Sequence, residues 1–231
     1  MFPDPTDSGV AYAEMRTRLT GLLREDPAGS GPMIVPGCPD WRVKDVVAHL
    51  TGACLDILEG NLDGVATDPW TAAQVARFAD ADLSDVLATW DEAGPQVEVL
   101  APAFPAKEAC QLVFDATTHE HDIRGALGRP GARSSNSMVV GFAFVLDALD
   151  GYVRHKGLPA IEIRTEAGTF TAGDGAADVV LSATLFDAFR SLGGRRSIDQ
   201  IRALDWSADA DPYLGVFKTM VLRPPAEALV E

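Results

Sequence analysis

Four histidines occur in this chain of 231 residues, and two of them stand two residues apart in Asp115-Ala-Thr-Thr-His-Glu-His-Asp-Ile-Arg-Gly-Ala-Leu-Gly128. Imidazole and carboxylate side chains at such spacing serve either metal ligation or proton transfer. A helical wheel separates the members. With Asp115 at zero, His119 falls at about 40° and Asp122 at about −20°, whereas His121 falls at about 240°. Asp115 and His119 therefore form an i,i+4 pair at the edge of the apolar stripe of Leu112, Ala116, Ile123 and Ala126. His121 points the other way and is expected in solvent. Buried polar groups need partners, and His49, in Asp45-Val-Val-Ala-His-Leu50, flanks the apolar stripe of its own helix, where it can reach across a cleft. His49, Asp115 and His119 would make a facial site for a divalent ion with open positions. A core histidine hydrogen-bonded to an acid fits the same spacing. His155, near a helix end, reads as a favourable C-terminal charge.

The elements that must place these residues are helices over most of the chain. Asp7 is a plausible N-cap for Ser8 to Leu23. Val43, Val46, Val47, Leu50, Cys54, Ile57 and Leu58 recur at helical spacing up to Gly60. Asp68-Pro69 opens a short helix, Ser84 caps one towards Leu100, and another runs from Ala106 to Leu127. Ser137 opens Met138 to Lys156. The texture then changes. Ile161 to Thr165 and Thr169 to Thr171 alternate as a β-hairpin, Val179 to Leu181 is a third strand, and Ala183 to Leu192 a helix, with a short element from Ile198 to Trp206. The expected fold is mainly α with a small α+β C-terminal part: residues 1–157 form a helical bundle and 158–231 a small α/β domain.

Composition excludes several classes. Acids outnumber bases 34 to 19, a net charge of −15, which repels phosphate backbones and argues against nucleic-acid binding. No run of about 18 apolar residues suggests a membrane span, and the N-terminus lacks a signal-peptide pattern, so a cytoplasmic protein is expected. Cys38, Cys54 and Cys110 match neither a disulfide framework nor a CxxC zinc site and read as small apolar fillers. No nucleophile elbow or phosphate loop is present, and no face stands out as an oligomer interface.

Val35-Pro-Gly-Cys-Pro-Asp-Trp-Arg-Val-Lys-Asp-Val-Val-Ala-His-Leu-Thr-Gly52 resembles the second-helix signature of the mycothiol-dependent maleylpyruvate isomerase family, part of the DinB-like superfamily. Its core stands here as Trp41, Val43, Asp45 and His49. Asp115, His119, Asp122 and Ala126-Leu127-Gly128 are similar to a second motif of that family. Leu192 to Ile201 with Asp205-Trp206 is similar to its small C-terminal domain. The resemblance implies a DinB-like four-helix bundle holding Zn2+ or another divalent metal through His49, Asp115 and His119, with mycothiol as the thiol cosubstrate. A metal-held thiolate would add to a small electrophilic substrate, in an isomerase or an S-transferase. The family's acidic ligand is Glu, and Asp115 is one methylene shorter, which leaves Asp122 or Glu120 as alternative or supporting ligands. Arg195 and Arg196 suit a substrate carboxylate or a solvated helix end. Trp41 reads as a packing residue. The shorter acid leaves room for a non-catalytic, ligand-binding relative, and an open metal position also admits a hydrolase.

Overall fold

The computed structural model describes residues 2–218 and 223–231. It divides into two compact units, Asp4–Gly131 and Ala132–Val230, with Glu231 joining the first.

The first unit opens with α1 (Pro5–Leu23), a single turn α2 (Pro27–Ser30), and a hairpin of β1 (Ile34–Val35) and β2 (Cys38–Arg42). It continues through α3 (Val43–Glu59), α4 (Asp68–Arg77), α5 (Leu83–Leu100) and α6 (Ala106–Ala126). α1, α3, α5 and α6 form the expected four-helix bundle: α1 lies along α5 and α6, and α3 along α5 and α6. Caps set the starts. Asp4, not Asp7, caps α1, its carboxylate accepting from Thr6 N at 2.8 Å, with Pro5 at the first helical position where its missing N–H is harmless. Asp82 and Asp85 form a reciprocal capping box at α5, so Asp82 takes the role expected of Ser84. Gly60 closes α3 in the left-handed region, φ 71°.

Apolar burial holds the bundle together, with Met15 and Leu19 of α1, Val46 and Val47 of α3, and Val86 and Val97 of α5 all inaccessible to solvent. At its centre Trp90 Nε1 donates to Tyr12 Oη at 3.1 Å, and Tyr12 Oη lies 3.0 Å from Cys54 Sγ. This triad joins α5, α1 and α3, and it satisfies polar groups that would otherwise be costly in the core.

Two features that the sequence reading lacked govern the site. The β1–β2 hairpin, antiparallel with Ile34 opposite Arg42, carries Cys38 and Trp41 to the start of α3. α4 is drawn onto α3. Lys44 Nζ donates to the carbonyls of Phe78, Ala79 and Ala81 at 3.0–3.1 Å, a cation on the carbonyl end of α4. Gly52 of α3 has no side chain where α4 crosses it.

The second unit begins with α7 (Asn136–Lys156), then β3 (Ala160–Thr165), β4 (Gly168–Ala172), β5 (Ala177–Ser182), α8 (Leu185–Leu192), α9 (Ile198–Arg202), β6 (Asp205–Trp206) and α10 (Asp211–Leu214). The sheet order is β4-β3-β5-β6. β3 and β4 form the expected hairpin, and β5 adds parallel to β3. The chain passes from one compact unit to the other between residues 131 and 132, rather than at the expected 157, because α7 packs against α8 and β4. α7 is long and apolar enough to cross a membrane by length and composition, with mean hydropathy 1.2, which the sequence reading had not expected. Its buried residues Met138, Phe142, Val145, Leu149 and Val153 recur at three and four, the stripe of a helix facing a protein core.

Candidate metal centre

Two helices of the bundle bring the three foremost residues together. His49 sits in the second turn of α3, and Asp115 and His119 one turn apart on α6. Asp115 Oδ2 lies 3.2 Å from His49 Nε2, and Asp115 Oδ1 lies 3.7 Å from His119 Nε2. One donor atom from each residue falls within 4.8 Å of the other two. Ligands about 2.1 Å from a tetrahedral ion stand about 3.4 Å apart, so the donor set and its spacing fit a divalent cation. The aspartate, despite its shorter side chain, spans both imidazoles. Both histidines are buried, while the Asp115 side chain is 39% exposed, so the acid is the member with access to solvent. Trp41 walls the site with its ring centroid 5.5 Å from His49 and 6.1 Å from His119. It packs as expected, and what it packs on is the two imidazoles.

Each imidazole is held from behind. His119 Nδ1 lies 3.1 Å from Asp122 Oδ2, and Cys38 Sγ donates to the same oxygen at 3.5 Å. An acid on the far nitrogen fixes the ring and turns Nε2 towards the site. Asp122 therefore stands behind the group of His49, Asp115 and His119 and not within it. Cys38, His119 and Asp122 form a second close group, one in which Asp122 already accepts from Cys38 and lies against His119 Nδ1. Cys38 is half-buried and lies at the site, whereas Cys54 and Cys110 are the buried fillers expected. His49 Nδ1 lies 2.7 Å from Gln74 Oε1. Gln74 Nε2 donates to Asp56 Oδ2 at 2.7 Å, and Arg77 and Asn61 both donate to Asp56 Oδ1. Burial opposes ionisation of Asp56, but the hydrogen bonds from Gln74, Asn61 and Arg77 outweigh it and hold the carboxyl below its usual range. Burial likewise opposes a charged His49, yet the adjacent Asp115 carboxylate and the hydrogen bond to Gln74 raise its pKa above the ordinary value.

The remaining candidates stand elsewhere. Glu120 does not join the cluster: its oxygens accept from Arg18 Nε and Nη2 and from Arg124 Nε at 2.9–3.3 Å. His121 is not solvated. Every residue from Ala116 to Ile123 is buried, so the middle of α6 has no wet face. His155 is exposed in the last turn of α7, as expected. Arg195 and Arg196 belong to the second unit and are under a tenth exposed. Arg196 donates to the Arg195 carbonyl at 3.0 Å and to Asp187 at 3.4 Å, and lies over the Phe186 ring, so carboxylate recognition by this pair rests on the sequence reading alone. Gln74 and Asp56 were missed. Their local signal was slight, a lone amide on the short α4 and a lone acid near the end of α3.

A four-helix bundle with two histidines and an acid converging from its helices defines a class of candidate metalloproteins. The family model described as the mycothiol maleylpyruvate isomerase N-terminal domain matches residues 11–129, a little over half of the chain, and the chain belongs to that family. The whole chain is also similar to two crystal structures of the mycothiol-dependent maleylpyruvate isomerase, one of a histidine-to-alanine mutant. Each has a TM-score of 0.54 and covers 96% of this chain; the identities are 12% for the mutant and 14% for the other, and the shares of those chains covered are 97% and 95%. Identity that low shows the fold alone, and the fold is the mainly α, DinB-like architecture with a small sheet that was expected. No curated protein sequence matches the chain.

Proposed function

We propose that this chain is a cytoplasmic, divalent-metal-dependent thiol isomerase or S-transferase that uses mycothiol on a small electrophilic substrate. The observation that carries the reading is the Asp115 carboxylate lying between the two histidine Nε2 atoms, at 3.2 and 3.7 Å. His49, Asp115 and His119 would hold the metal, preferably zinc given the imidazole and carboxylate donors. A bound zinc supplies Lewis acidity and favours the thiolate form of a thiol, the nucleophile that an activated double bond requires.

The chain's own groups do the rest. Asp122 and Gln74 hold the imidazoles so that each Nε2 faces the common point. Trp41 covers both rings and excludes water from one side, which strengthens the electrostatics there. Asp115, as the accessible acid, marks the side from which a thiol would reach the site. An isomerase would then release the thiol after bond rotation, and a transferase would keep it in the product.

Elemental analysis of purified wild type and of His119→Ala tests the ligand assignment. About one zinc per chain in the first and little in the second is expected; undiminished metal in the variant would remove His119 from the ligand set. Consumption of mycothiol with a panel of activated alkenes then tests the chemistry. Fully metallated protein that turns over no thiol with any electrophile would favour a non-catalytic relative instead.

A further inference from the structure

We propose that Gln74 is the positioning residue of His49, and that Asp56 holds Gln74 in the one orientation that leaves His49 Nε2 free to act as a ligand. The inference rests on the metal reading of His49 and extends the site to α4, which carries none of the motif residues.

Gln74 is fully buried, and its amide meets two groups of opposite demand, His49 Nδ1 at 2.7 Å and Asp56 Oδ2 at 2.7 Å. A carboxamide has two orientations of nearly equal shape. Here chemistry selects one. Asp56 is a carboxylate whose Oδ1 accepts from Arg77 at 2.7 Å and from Asn61 at 3.1 Å. Its other oxygen can only accept, so the amide NH2 must face it. The amide carbonyl then faces His49, and a carbonyl also only accepts. Nδ1 of His49 must therefore carry the hydrogen, and in the neutral ring Nε2 is left with the lone pair. Nε2 is the atom beside Asp115 in the three-residue group. The order runs from Arg77 through Asp56 and Gln74 to the ligand atom, and in the metal-free protein it works against the Asp115 carboxylate, which at 3.2 Å from Nε2 would itself accept a hydrogen there.

Close helix packing makes this possible. Gly52 lies three residues beyond His49 on α3. A Cβ there would stand 2.5 Å from Gln74 Cβ and 3.1 Å from its Cα, distances that α4 can relieve only by moving away. Gly52 thereby sets how near the amide comes to the imidazole. Partners of this kind typically alter metal affinity about 10- to 100-fold when removed.

The test uses full-length, metal-free protein labelled with 15N-histidine, at a pH where the ring is neutral, so that NMR reports which nitrogen bears the hydrogen. Wild type is expected to show His49 as the Nδ1–H tautomer. In Gln74→Leu the hydrogen is expected to move to Nε2, where Asp115 accepts it, and zinc affinity by chelator competition to fall about 10- to 100-fold. Gln74→Glu, whose buried carboxyl in its protonated form donates to Asp56 and accepts from His49, is expected to restore the wild-type tautomer. Asp56→Asn is the near-isosteric second variant. Arg77 and Asn61 keep its oxygen, its NH2 faces Gln74, the amide turns over, and the His49 tautomer reverses from one residue further away. An unchanged tautomer and zinc affinity in a folded Gln74→Leu, or in Asp56→Asn, would overturn the proposal. A tautomer that responds in a protein binding no zinc would sink the metal reading and leave the positioning in place.

Discussion

Replacing Asp115 by Asn keeps the shape of the side chain and removes the charge that spans the two histidines. Replacing Asp122 by Asn leaves the three donors intact and weakens only the support of His119 Nδ1. Zinc affinity measured by chelator competition is expected to fall about 10- to 100-fold in Asp122→Asn and further in Asp115→Asn. An Asp122→Asn protein with wild-type affinity would show that Asp122 does not orient His119. At this scale the sequence was informative where the chemistry is local. The i,i+4 spacing of Asp115 and His119 put both on one face, and the edge of the apolar stripe around Val46 and Leu50 supplied His49. His121 was misjudged because a wheel assumes that one side of a helix is wet, and the centre of α6 is enclosed on all sides. Gln74 was not legible, since nothing in the sequence connects it to His49 until α4 folds back onto α3, and Asp56, two turns after His49 on α3, gains its role only through Gln74.

Among the elements, α1, α3 and α5 are tied by the Tyr12, Cys54 and Trp90 side chains, and the tie has a pH signature. Burial pushes the Cys54 thiol up to about 11 from an ordinary 9.0, although hydrogen bonds from Tyr12 and Trp90 work in the other direction. The folded state thus holds a proton that the unfolded state has lost. The corresponding stability is fully present below pH 9.0 and is lost as pH rises towards about 11. Urea unfolding between these limits is expected to show a decline in stability that is shallower in Cys54→Ala. Tyr12, raised well above 10.0 chiefly by the same burial, continues the decline at higher pH. Equal slopes in wild type and Cys54→Ala would mean that Cys54 titrates as in the unfolded chain. Long helices such as α3 and α7 were legible from periodicity and from Gly60 and Gly157 at their ends. The β1–β2 hairpin was not, because two residues of Ile34–Val35 and the proline-broken Cys38–Arg42 offer no alternation to read.

For the molecule as a whole, the net charge of −15 bears on substrate capture more than on the fold. If the substrate is a carboxylate, the field of the protein opposes its approach, and salt screens that field over about 10 Å at 0.1 M. The value of kcat/KM for an anionic electrophile is expected to rise as ionic strength increases from about 0.01 to about 0.15 M, with a neutral electrophile unaffected. The opposite trend would point to a local cationic site that dominates capture. The sequence texture changes near residue 157, whereas the compact units divide between residues 131 and 132, because α7 has the periodicity of a bundle helix and only its packing against β4 and α8 shows which unit claims it.

Gly52 has a consequence for anyone engineering this protein. A glycine inside α3 invites replacement by alanine, which favours a helix by about 1 kcal/mol, and consensus or propensity-based redesign would select it early. At this position the gain in the helix is set against the approach of α4. A Cβ at this position overlaps the Gln74 Cβ at 2.5 Å and crowds its Cα at 3.1 Å, atoms that a packed helix does not readily move, so Gly52→Ala is expected to lower the melting temperature despite its better helix propensity. Position 52 is therefore one where helix propensity alone misleads, and any redesign of this chain has to read the packing of α4 first.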